Sequence, residues 1–174
     1  SVQAERGGAD RIELNSALFL GGLTPSIGAL EAVKAQVKIP VMCMVRPREG
    51  GFCYTAFDYD TVCRDALALV RAGADGVVFG FLNDDGTVDA TRCADFLGRV
   101  RAEKPEIETV FHRAIDVVPD VFAALDTLTA LGVTRVLTSG QRASAPQGAE
   151  TIRKMLAHAG GRIDILPGGG INAG

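Results

Sequence analysis

One short phrase recurs along this chain and limits its fold more than any other feature of the sequence. In each copy a helix-like stretch stops at a glycine or another small residue, and a run of apolar residues follows. The copies are ERGGADRIEL at 5–14, RAGADGVVFG at 71–80, ALGVTRVLTS at 130–139 and HAGGRIDILPGG at 158–169. Glycine closes a helix in the left-handed conformation, and such an apolar run suits a strand buried on both faces. The phrase therefore predicts helices that lead directly into the strands of a parallel sheet.

Two further strands follow prolines, which end the helices before them. VMCMV at 41–45 comes after Pro40, and ETVFH at 108–112 comes after Pro105. Helix starts are marked by Thr24-Pro25-Ser26, Asp58, Asp89 and Pro119. The whole order predicts six strands, at 11–15, 41–46, 76–80, 108–112, 135–139 and 164–167. The helices between them are predicted at 26–38, 59–73, 90–104, 119–132 and 148–160.

Alternating strands and helices can close in two ways, as an open doubly wound sheet or as a barrel. Polar residues follow almost every strand here, which favours a barrel, because a barrel gathers the carboxyl ends of all its strands at one rim. We therefore predict an α/β fold of the (β/α)8 TIM-barrel type, formed by a single domain over residues 1–174. The chain starts inside a helix and stops after a Gly-rich strand end. We expect a first strand, and a last strand with its helix, to be missing from it.

The balance of charge excludes two classes of partner. The 174 residues carry 18 Lys and Arg against 21 Asp and Glu, a net charge of −3. Binding to nucleic acid or to an anionic membrane surface needs a basic field, which this sequence lacks. No apolar run approaches the roughly 20 residues of a membrane helix, and SVQAERGGAD at the start has no signal-peptide core. We expect a cytoplasmic protein that binds neither nucleic acid nor membrane.

The four cysteines form no metal-binding or disulfide motif. Cys43, Cys53, Cys63 and Cys93 lie ten, ten and thirty residues apart, with no C-x-x-C pair. Most are expected to be reduced structural residues. Strand alternation places Cys43 towards the helices and Met42 and Met44 in the barrel core, whereas Cys53 lies in the GGFCY loop. Cys53 and Cys43 are the two thiols that we retain as candidate metal ligands.

Glu13 and Arg46 are the first candidates for a functional site. Alternation along RIELN places Glu13 on the strand face opposite to Ile12 and Leu14, so its carboxylate is predicted to point into the barrel. A buried carboxylate needs a partner, and Arg46 at the end of the next strand is the expected one. The pair is either a structural ion pair or part of a catalytic site. Arg46 is also a candidate for binding an anionic ligand, because a guanidinium can form bidentate hydrogen bonds with a carboxylate or phosphate group.

Further polar groups follow the later strands. Arg48 comes shortly after Arg46, while His112, Arg113 and Asp116 follow the strand at 108–112. Imidazole suits proton transfer, so His112 is a catalytic candidate beside Glu13 and Arg46, with a structural role as the alternative. Side-chain hydroxyls and glycine backbone amides lie at the ends of the last two strands, and both kinds of group suit anion binding. The anion-binding candidates are Arg46, Arg48, Arg113, Asp116, Thr138, Ser139, Gly168, Gly169 and Gly170.

Seven phrases of the chain together resemble the CutC copper-homeostasis family in their order and spacing. They are GGADRIEL (7–14), GGLTPS (21–26), IPVMCMVRPREGGFCY (39–54), GADGVVFGFLNDDGTVD (73–89), FHRAID (111–116), RVLTSG (135–140) and LPGGGI (166–171). The similarity runs along essentially the whole chain. The resemblance implies a barrel fold, and members of the family run longer at both ends.

The resemblance also implies a copper-homeostasis protein that binds Cu(I) or acts in copper tolerance, with copper as its cofactor and a homo-oligomeric assembly. In many relatives the phrase after GADRIE reads L-C-S, and that cysteine has been considered a copper ligand. The position here is Asn15, whose amide is a poor ligand for Cu(I), so the copper role is weakened. The hard, cationic groups at the strand ends favour instead an enzyme for a small anionic or phosphorylated metabolite. A scaffold that works only by assembly is a third hypothesis.

Overall fold

The computed structural model of the chain describes residues 1–172 and contains every predicted strand and helix. The strands are β1 Ile12–Leu14, β2 Val41–Met44, β3 Gly76–Phe79, β4 Glu108–Phe111, β5 Arg135–Thr138 and β6 Asp164–Pro167. The helices are α1 Val2–Arg6, α2 Ile27–Lys34, α3 Ala56–Arg71, α4 Ala90–Glu103, α5 Val121–Ala130 and α6 Ala149–Ala159. Short 3-10 helices follow β1 at Leu18–Leu20 and β4 at Arg113–Val117.

The chain forms two compact units, each with its own run of parallel strands. The first comprises Ser1–Phe79 and Asp95–Glu108, and the second comprises Gly80–Ala94 and the chain from Thr109 onwards. In the first unit β1 pairs with β2, and β2 pairs with β3. In the second unit β4 pairs with β5, and β5 pairs with β6. Every one of these pairings is parallel, as the alternation of strands and helices predicts.

Strands β2 and β3 are buried along their whole length, which explains why their sequences are unbroken apolar runs. Met42 and Met44 are 2% and 4% exposed, so both methionines are core residues, as predicted. Gly76 pairs in register with Met42. A Cβ atom on Gly76 would collide with the sulfur of Met42 and with the backbone of Glu108. The glycine therefore leaves the space that the long side chain of Met42 fills.

Two of the four predicted helix starts are wrong by one to three residues. The side chain of Ser26 accepts a hydrogen bond from the Ala29 amide, and Asp89 accepts one from the Arg92 amide, as predicted. Helix α3, however, is capped by Thr55 and not by Asp58, which belongs to the first turn. Helix α5 is capped by Asp120 and not by Pro119. In both cases a side-chain oxygen that can reach the exposed amides defines the start, and proline offers none.

None of the helices described within residues 1–172 is both long and apolar enough to pass through a bilayer. The longest is α3, with 16 residues. A membrane-crossing helix needs about 20 consecutive residues that are mostly apolar. Helix α3 also alternates buried positions such as Val62 and Leu69 with exposed charges such as Asp60 and Arg64, which is the pattern of a helix that covers a sheet.

Candidate functional site

Glu13 does not pair with Arg46, which corrects the expected ion pair. The Glu13 carboxylate instead accepts a hydrogen bond of 3.0 Å from the side-chain amide of Asn15. Within residues 1–172, Glu13 forms no ion pair with any Lys, Arg or His. The arginine of the same strand segment, Arg11, donates to Glu108 at 2.6 Å. Asn15 thus takes the place at Glu13 that sequence reasoning assigned to Arg46.

The surroundings of Glu13 move the pKa of its carboxyl upwards. Much of its side chain contacts solvent, yet the protein packed around its carboxyl raises the pKa of Glu13, and the hydrogen bond from Asn15 only partly opposes this. No nearby cation restores the ordinary value. A carboxyl whose pKa moves towards neutrality is better suited to exchange a proton with a ligand than an ordinary surface glutamate.

Arg46 is buried at the end of β2, and its guanidinium holds two loops together. Nη1 donates to the carbonyl oxygens of Leu20 at 3.0 Å and Gly22 at 3.2 Å. Nη2 donates to the carbonyl oxygen of Gly50 at 2.9 Å. The guanidinium also lies 5.3 Å from the ring centre of Phe52, within range of a cation–π contact. The sequence places Arg46 at a strand end but does not reveal these carbonyl partners.

The charge of Arg46 has no anionic partner. Its hydrogen-bond acceptors are neutral carbonyl groups, and no carboxylate in residues 1–172 pairs with it. Its Nε atom is buried and makes no hydrogen bond to the described residues. Arg46 is only 7% exposed, and no other arginine, and no lysine, in the described part of the chain is buried. A buried charge without a counter-ion costs several kcal/mol, so an oxyanion beside Arg46 would be stabilised.

Arg48 was predicted to bind an anion, but its guanidinium is already neutralised. Nε and Nη2 donate to the same carboxylate oxygen of Asp58, at 3.1 and 3.0 Å. Nη2 also donates to the Cys53 carbonyl oxygen at 3.1 Å, and the guanidinium lies 5.0 Å from the ring centre of Tyr54. These contacts attach the 48–54 loop to the start of α3. The anion-binding role of Arg48 stays a prediction, with a structural role visible in its contacts.

His112 is buried at the end of β4 and caps the 3-10 helix that follows. Its Nδ1 accepts a hydrogen bond of 3.1 Å from the Ala114 amide. In the neutral ring the proton therefore sits on Nε2. A Cβ atom on Gly80 would collide with the imidazole, so Gly80 is the residue that leaves room for it. Sequence reasoning missed Gly80, although its place at the end of β3 was a signal that another side chain crosses there.

Arg113, Asp116, Thr138 and Ser139, all predicted as anion-binding residues, are brought together in one hydrogen-bonded cluster of the second unit. The Asp116 carboxylate accepts from Thr138 Oγ1 at 2.6 Å and from Ser139 Oγ at 2.9 Å. It also accepts from Arg113 Nε at 2.9 Å and from the Gln141 amide at 3.1 Å. Arg113 Nη2 donates to Ser139 Oγ at 2.7 Å. Asp116 thus neutralises Arg113, in contrast to the unpaired charge of Arg46.

The hydrogen bonds to Asp116 affect its pKa more strongly than its burial does. Burial alone would raise the pKa of Asp116, but the donors Thr138, Ser139, Arg113 and Gln141 together hold the pKa below its ordinary value. The side chain is 7% exposed. Asp116 is therefore a buried carboxylate that stays ionised and organises the chain after β4 and β5.

The glycines after β6 lie beside this cluster. Gly169 and Gly170 have φ angles of 97° and 70°, which favour glycine. A Cβ atom on Gly169 would lie 3.2 Å from Arg113 Nη1, and one on Gly170 would lie 2.9 Å from Ser144 Cβ. The Gly168 amide is not available to a ligand, because it donates to the Thr138 carbonyl oxygen at 2.8 Å. An anion nest at Gly168–Gly170 stays a prediction that only Gly169 and Gly170 can support.

The donor groups of the described residues do not fit a Cu(I) site. Cys43 is fully buried, and burial, with Asp75 nearby, raises the pKa of its thiol to about 12, although Lys34 acts in the opposite direction. The ligand for copper is the thiolate, which such a pKa disfavours. Cys53 is exposed in its loop. Among residues 1–172, no group of three or more His, Cys, Asp and Glu side chains could hold a metal ion.

The catalytic candidates belong to different units of the fold. Glu13 and Arg46 belong to the first unit and His112 to the second. Their predicted meeting at one rim stays a prediction, as do the catalytic roles of all three.

Comparison with known proteins identifies the family. The family model described as CutC family matches residues 1–174. The chain is 56% identical over 171 residues to a CutC family protein of Treponema denticola, an alignment that covers 98% of this chain and 68% of that protein. It is 47% identical to the copper homeostasis protein cutC homolog of Homo sapiens, covering 98% of this chain and 61% of that protein. The chain therefore spans about two thirds of the length of these relatives.

A solved structure agrees with the predicted fold. The crystal structure of a copper homeostasis protein CutC from Streptococcus agalactiae matches with a TM-score of 0.90 at 31% identity, over 97% of this chain and 81% of that one. The fold is thus of the (β/α)8 TIM-barrel type, with six parallel strands present. With a family match over its whole length and a relative 56% identical to it, the chain belongs to the CutC family.

Proposed function

We propose that this chain serves copper homeostasis, the role named for its human relative, by binding a small oxyanion at Arg46. The ligand is a small anionic or phosphorylated metabolite. Acid–base chemistry on that ligand is a second candidate function, which the raised pKa of Glu13 favours. The copper role rests on the relatives alone, whereas residues of this chain support the oxyanion site.

The unpaired charge of Arg46 carries the proposal. A guanidinium forms its strongest hydrogen bonds with carboxylate or phosphate oxygens, because both partners then carry opposite charges. The described hydrogen bonds of the Arg46 guanidinium all go to neutral carbonyl groups. A small oxyanion would supply the missing counter-charge. The other two candidate arginines already have a counter-ion, because Arg48 pairs with Asp58 and Arg113 pairs with Asp116.

Direct binding of Cu(I) would depend on Cys53, the one cysteine exposed to solvent. A single thiolate is a weak site for Cu(I), which prefers several soft ligands. We therefore propose that the chain acts in copper homeostasis through its small-molecule ligand and not as a copper carrier.

Thermal unfolding in the presence of phosphate, sulfate and malonate tests the oxyanion site. At a ligand concentration of about 100 times Kd, binding stabilises a protein by about 2.7 kcal/mol. That stabilisation raises Tm by about 5–10 °C for a chain of this size. We expect at least one of these anions to raise Tm in this way, with chloride at matched ionic strength as the reference. Arg46→Met, which removes the charge at similar length, is expected to abolish the shift.

The matched control is Arg64→Met, because Arg64 is exposed and lies on the surface of α3 paired with Asp60. It removes the same charge from the same unit and should keep the full shift. Should Arg46→Met fail to fold, Arg46→Lys takes its place, since it keeps the charge but not the fork of donors. A Tm shift that stays at the wild-type level in the Arg46 variant that folds would show the proposal to be wrong.

Titration with Cu(I) against a competing chelator tests the copper part. We expect affinity no higher than that of a single exposed thiol, and we expect Cys53→Ser to remove it. Cys43→Ser is the matched control and should bind as the wild type does. Tight binding that persists in Cys53→Ser would contradict the proposal.

A further inference from the structure

The loop between β1 and α2 has a firmly held base. The Ser16 amide donates to the Leu23 carbonyl oxygen at 3.0 Å, and the Leu23 amide donates back to Ser16 at 2.8 Å. The Thr24 amide donates to the Arg46 carbonyl oxygen, and the Arg46 amide donates to Thr24 Oγ1, both at 3.0 Å. These bonds involve only the backbone of Arg46. The base at Ser16–Leu23 therefore stays in place when the guanidinium of Arg46 changes its partners.

The tip of the same loop, residues 17–22, is held in a different way. Leu18 and Phe19 are 73% and 88% exposed, and the short helix Leu18–Leu20 buries no residue. Ala17 has φ 46° and Gly21 and Gly22 have φ 86° and 87°, conformations that cost free energy for alanine and suit glycine. Apolar burial therefore contributes little to keeping the tip in place.

Arg46 supplies the hydrogen bonds that join this tip to the rest of the protein. Its Nη1 bonds to Leu20 and Gly22 are the hydrogen bonds, among residues 1–172, that link residues 17–22 to chain outside the loop. The remaining bonds of the tip run within it, from the amides of Leu20, Gly21 and Gly22 to Ala17 and Leu18. The same guanidinium holds Gly50 of the next loop through Nη2.

From this arrangement we propose that residues 17–22 form a lid and that Arg46 is its latch, released by the oxyanion. The inference rests on the proposed oxyanion site. Carboxylate or phosphate oxygens compete for the guanidinium N–H groups that now bind neutral carbonyls, and the oxyanion wins because it adds a negative charge that a carbonyl lacks. Nη1 then leaves Leu20 and Gly22. The tip opens while the Ser16–Leu23 base remains closed, so ligand binding and lid opening are coupled.

Hydrogen–deuterium exchange of the peptide that covers Leu18–Gly22 tests the latch, with phosphate and malonate as probes. In the wild type, a saturating probe should speed exchange of this peptide, whereas chloride at matched ionic strength should not. Without a probe, Arg46→Met should exchange there about tenfold faster, as expected for loss of hydrogen bonds to a charged group. Its exchange should not respond to the probe. Arg64→Met is the control and should behave as the wild type does.

Tm shifts measured on the same samples separate the possible failures. If no probe raises Tm, the proposed oxyanion site is wrong and the latch falls with it. If a probe binds through Arg46 but exchange of the Leu18–Gly22 peptide stays constant or slows, the latch alone is wrong. Exchange of the Leu18–Gly22 peptide in the wild type, with and without a probe, needs no variant. These measurements therefore test the latch even if Arg46→Met does not fold. Arg46→Lys, which keeps the charge but not the fork of donors, should then show the faster exchange.

Discussion

Arg46 and Arg113 each follow a strand, yet their charges are balanced in different ways. Arg113 has Asp116 three residues further along, and the two form an ion pair of 2.9 Å. Arg46 is more deeply buried, and the acceptors of its guanidinium among the described residues are carbonyl oxygens. At the scale of a residue, the presence of a neighbouring carboxylate, and not the residue type, decides which arginine an added anion would stabilise.

Asp116 makes the clearest case for a pH effect on stability. Its lowered pKa means that the folded chain binds the Asp116 proton less readily than the unfolded chain does. The ionised carboxylate contributes its full stabilisation above the ordinary Asp pKa of about 3.9. That contribution is lost as the pH falls through the lowered pKa of the folded state. The free energy of unfolding should therefore decrease on acidification below about pH 4.

Asp116→Asn should lower the free energy of unfolding by about 3 kcal/mol at neutral pH, because the buried donors of Thr138 and Ser139 lose an ionised acceptor. The loss corresponds to a fall in Tm of about 6–12 °C. The gap between variant and wild type should narrow as the pH is lowered below about 4. Urea unfolding at several pH values measures it. Asp60→Asn, at an exposed carboxylate, is the control and should change little. A gap that is small, or that widens in acid, would contradict the argument.

At the scale of an element, the start of α3 joins helix stability to the neighbouring loop. Thr55 Oγ1 accepts from the Asp58 amide, and the Asp58 side chain accepts from the Thr55 amide, both at 3.1 Å. Two amides at the helix start are thus satisfied. The same Asp58 carboxylate accepts hydrogen bonds from Arg48 of the 48–54 loop. The hydrogen bonds from Arg48 and Thr55 lower the pKa of Asp58.

Thr55→Ala should lower the free energy of unfolding by about 1 kcal/mol, because the Asp58 amide loses its acceptor. The expected fall in Tm is about 2–4 °C. Thr61→Ala is the matched control. Thr61 lies within α3 and bonds back to the Phe57 carbonyl oxygen, so its loss leaves no amide unsatisfied. Calorimetry on both variants measures the difference, and equal stability of the two would show that the capping box contributes nothing.

The elements themselves could be predicted well, and their ends less well. All six strands lie within the predicted ranges, because an apolar run after a helix stop is a local signal. Helix α2 ends at Lys34, four residues before the predicted end, and α3 begins at Ala56, three residues before its predicted start. Helix ends depend on which side chain reaches the free amides, and this is decided by the turn that leads into the helix.

At the scale of the whole molecule, the cysteines report on how the chain is packed. Cys43, Cys63 and Cys93 are 0%, 3% and 0% exposed. Burial raises the pKa of the Cys43 and Cys93 thiols to about 12, with further raising by nearby Asp75 and Asp89 respectively. Burial likewise raises the pKa of Cys63. Cys53 is exposed, and none of the four forms a disulfide.

A thiol reagent at neutral pH should therefore label about one cysteine per native chain and four in denaturant, because reaction needs an accessible thiolate. Cys53→Ser should remove the fast reaction, and Cys63→Ser, the control, should leave it intact. Mass spectrometry of the labelled peptides identifies the site. Fast labelling of Cys43 or Cys93 in the native chain would be incompatible with the packing of β2 and α4.

The barrel was favoured over an open sheet by the polar residues at the strand ends, and the match to the S. agalactiae structure confirms it. The order of strands and helices along the chain could be predicted from the repeated units. The site could not be predicted to the same degree. The predicted pair of Glu13 with Arg46 is absent, whereas the ion pair of Arg113 with Asp116 is present although it was not predicted.

The sequence by itself determined the alternation of helices and parallel strands, the buried runs of β2 and β3 and the family, because these depend on neighbours along the chain. Only the tertiary structure decided that Arg46 binds the carbonyls of Leu20, Gly22 and Gly50, and that Asn15 is the partner of Glu13. The physical reason lies in the loops. Left-handed residues such as Gly21 and Gly22 turn carbonyl oxygens towards a side chain that is distant in sequence, and residue types do not encode that direction.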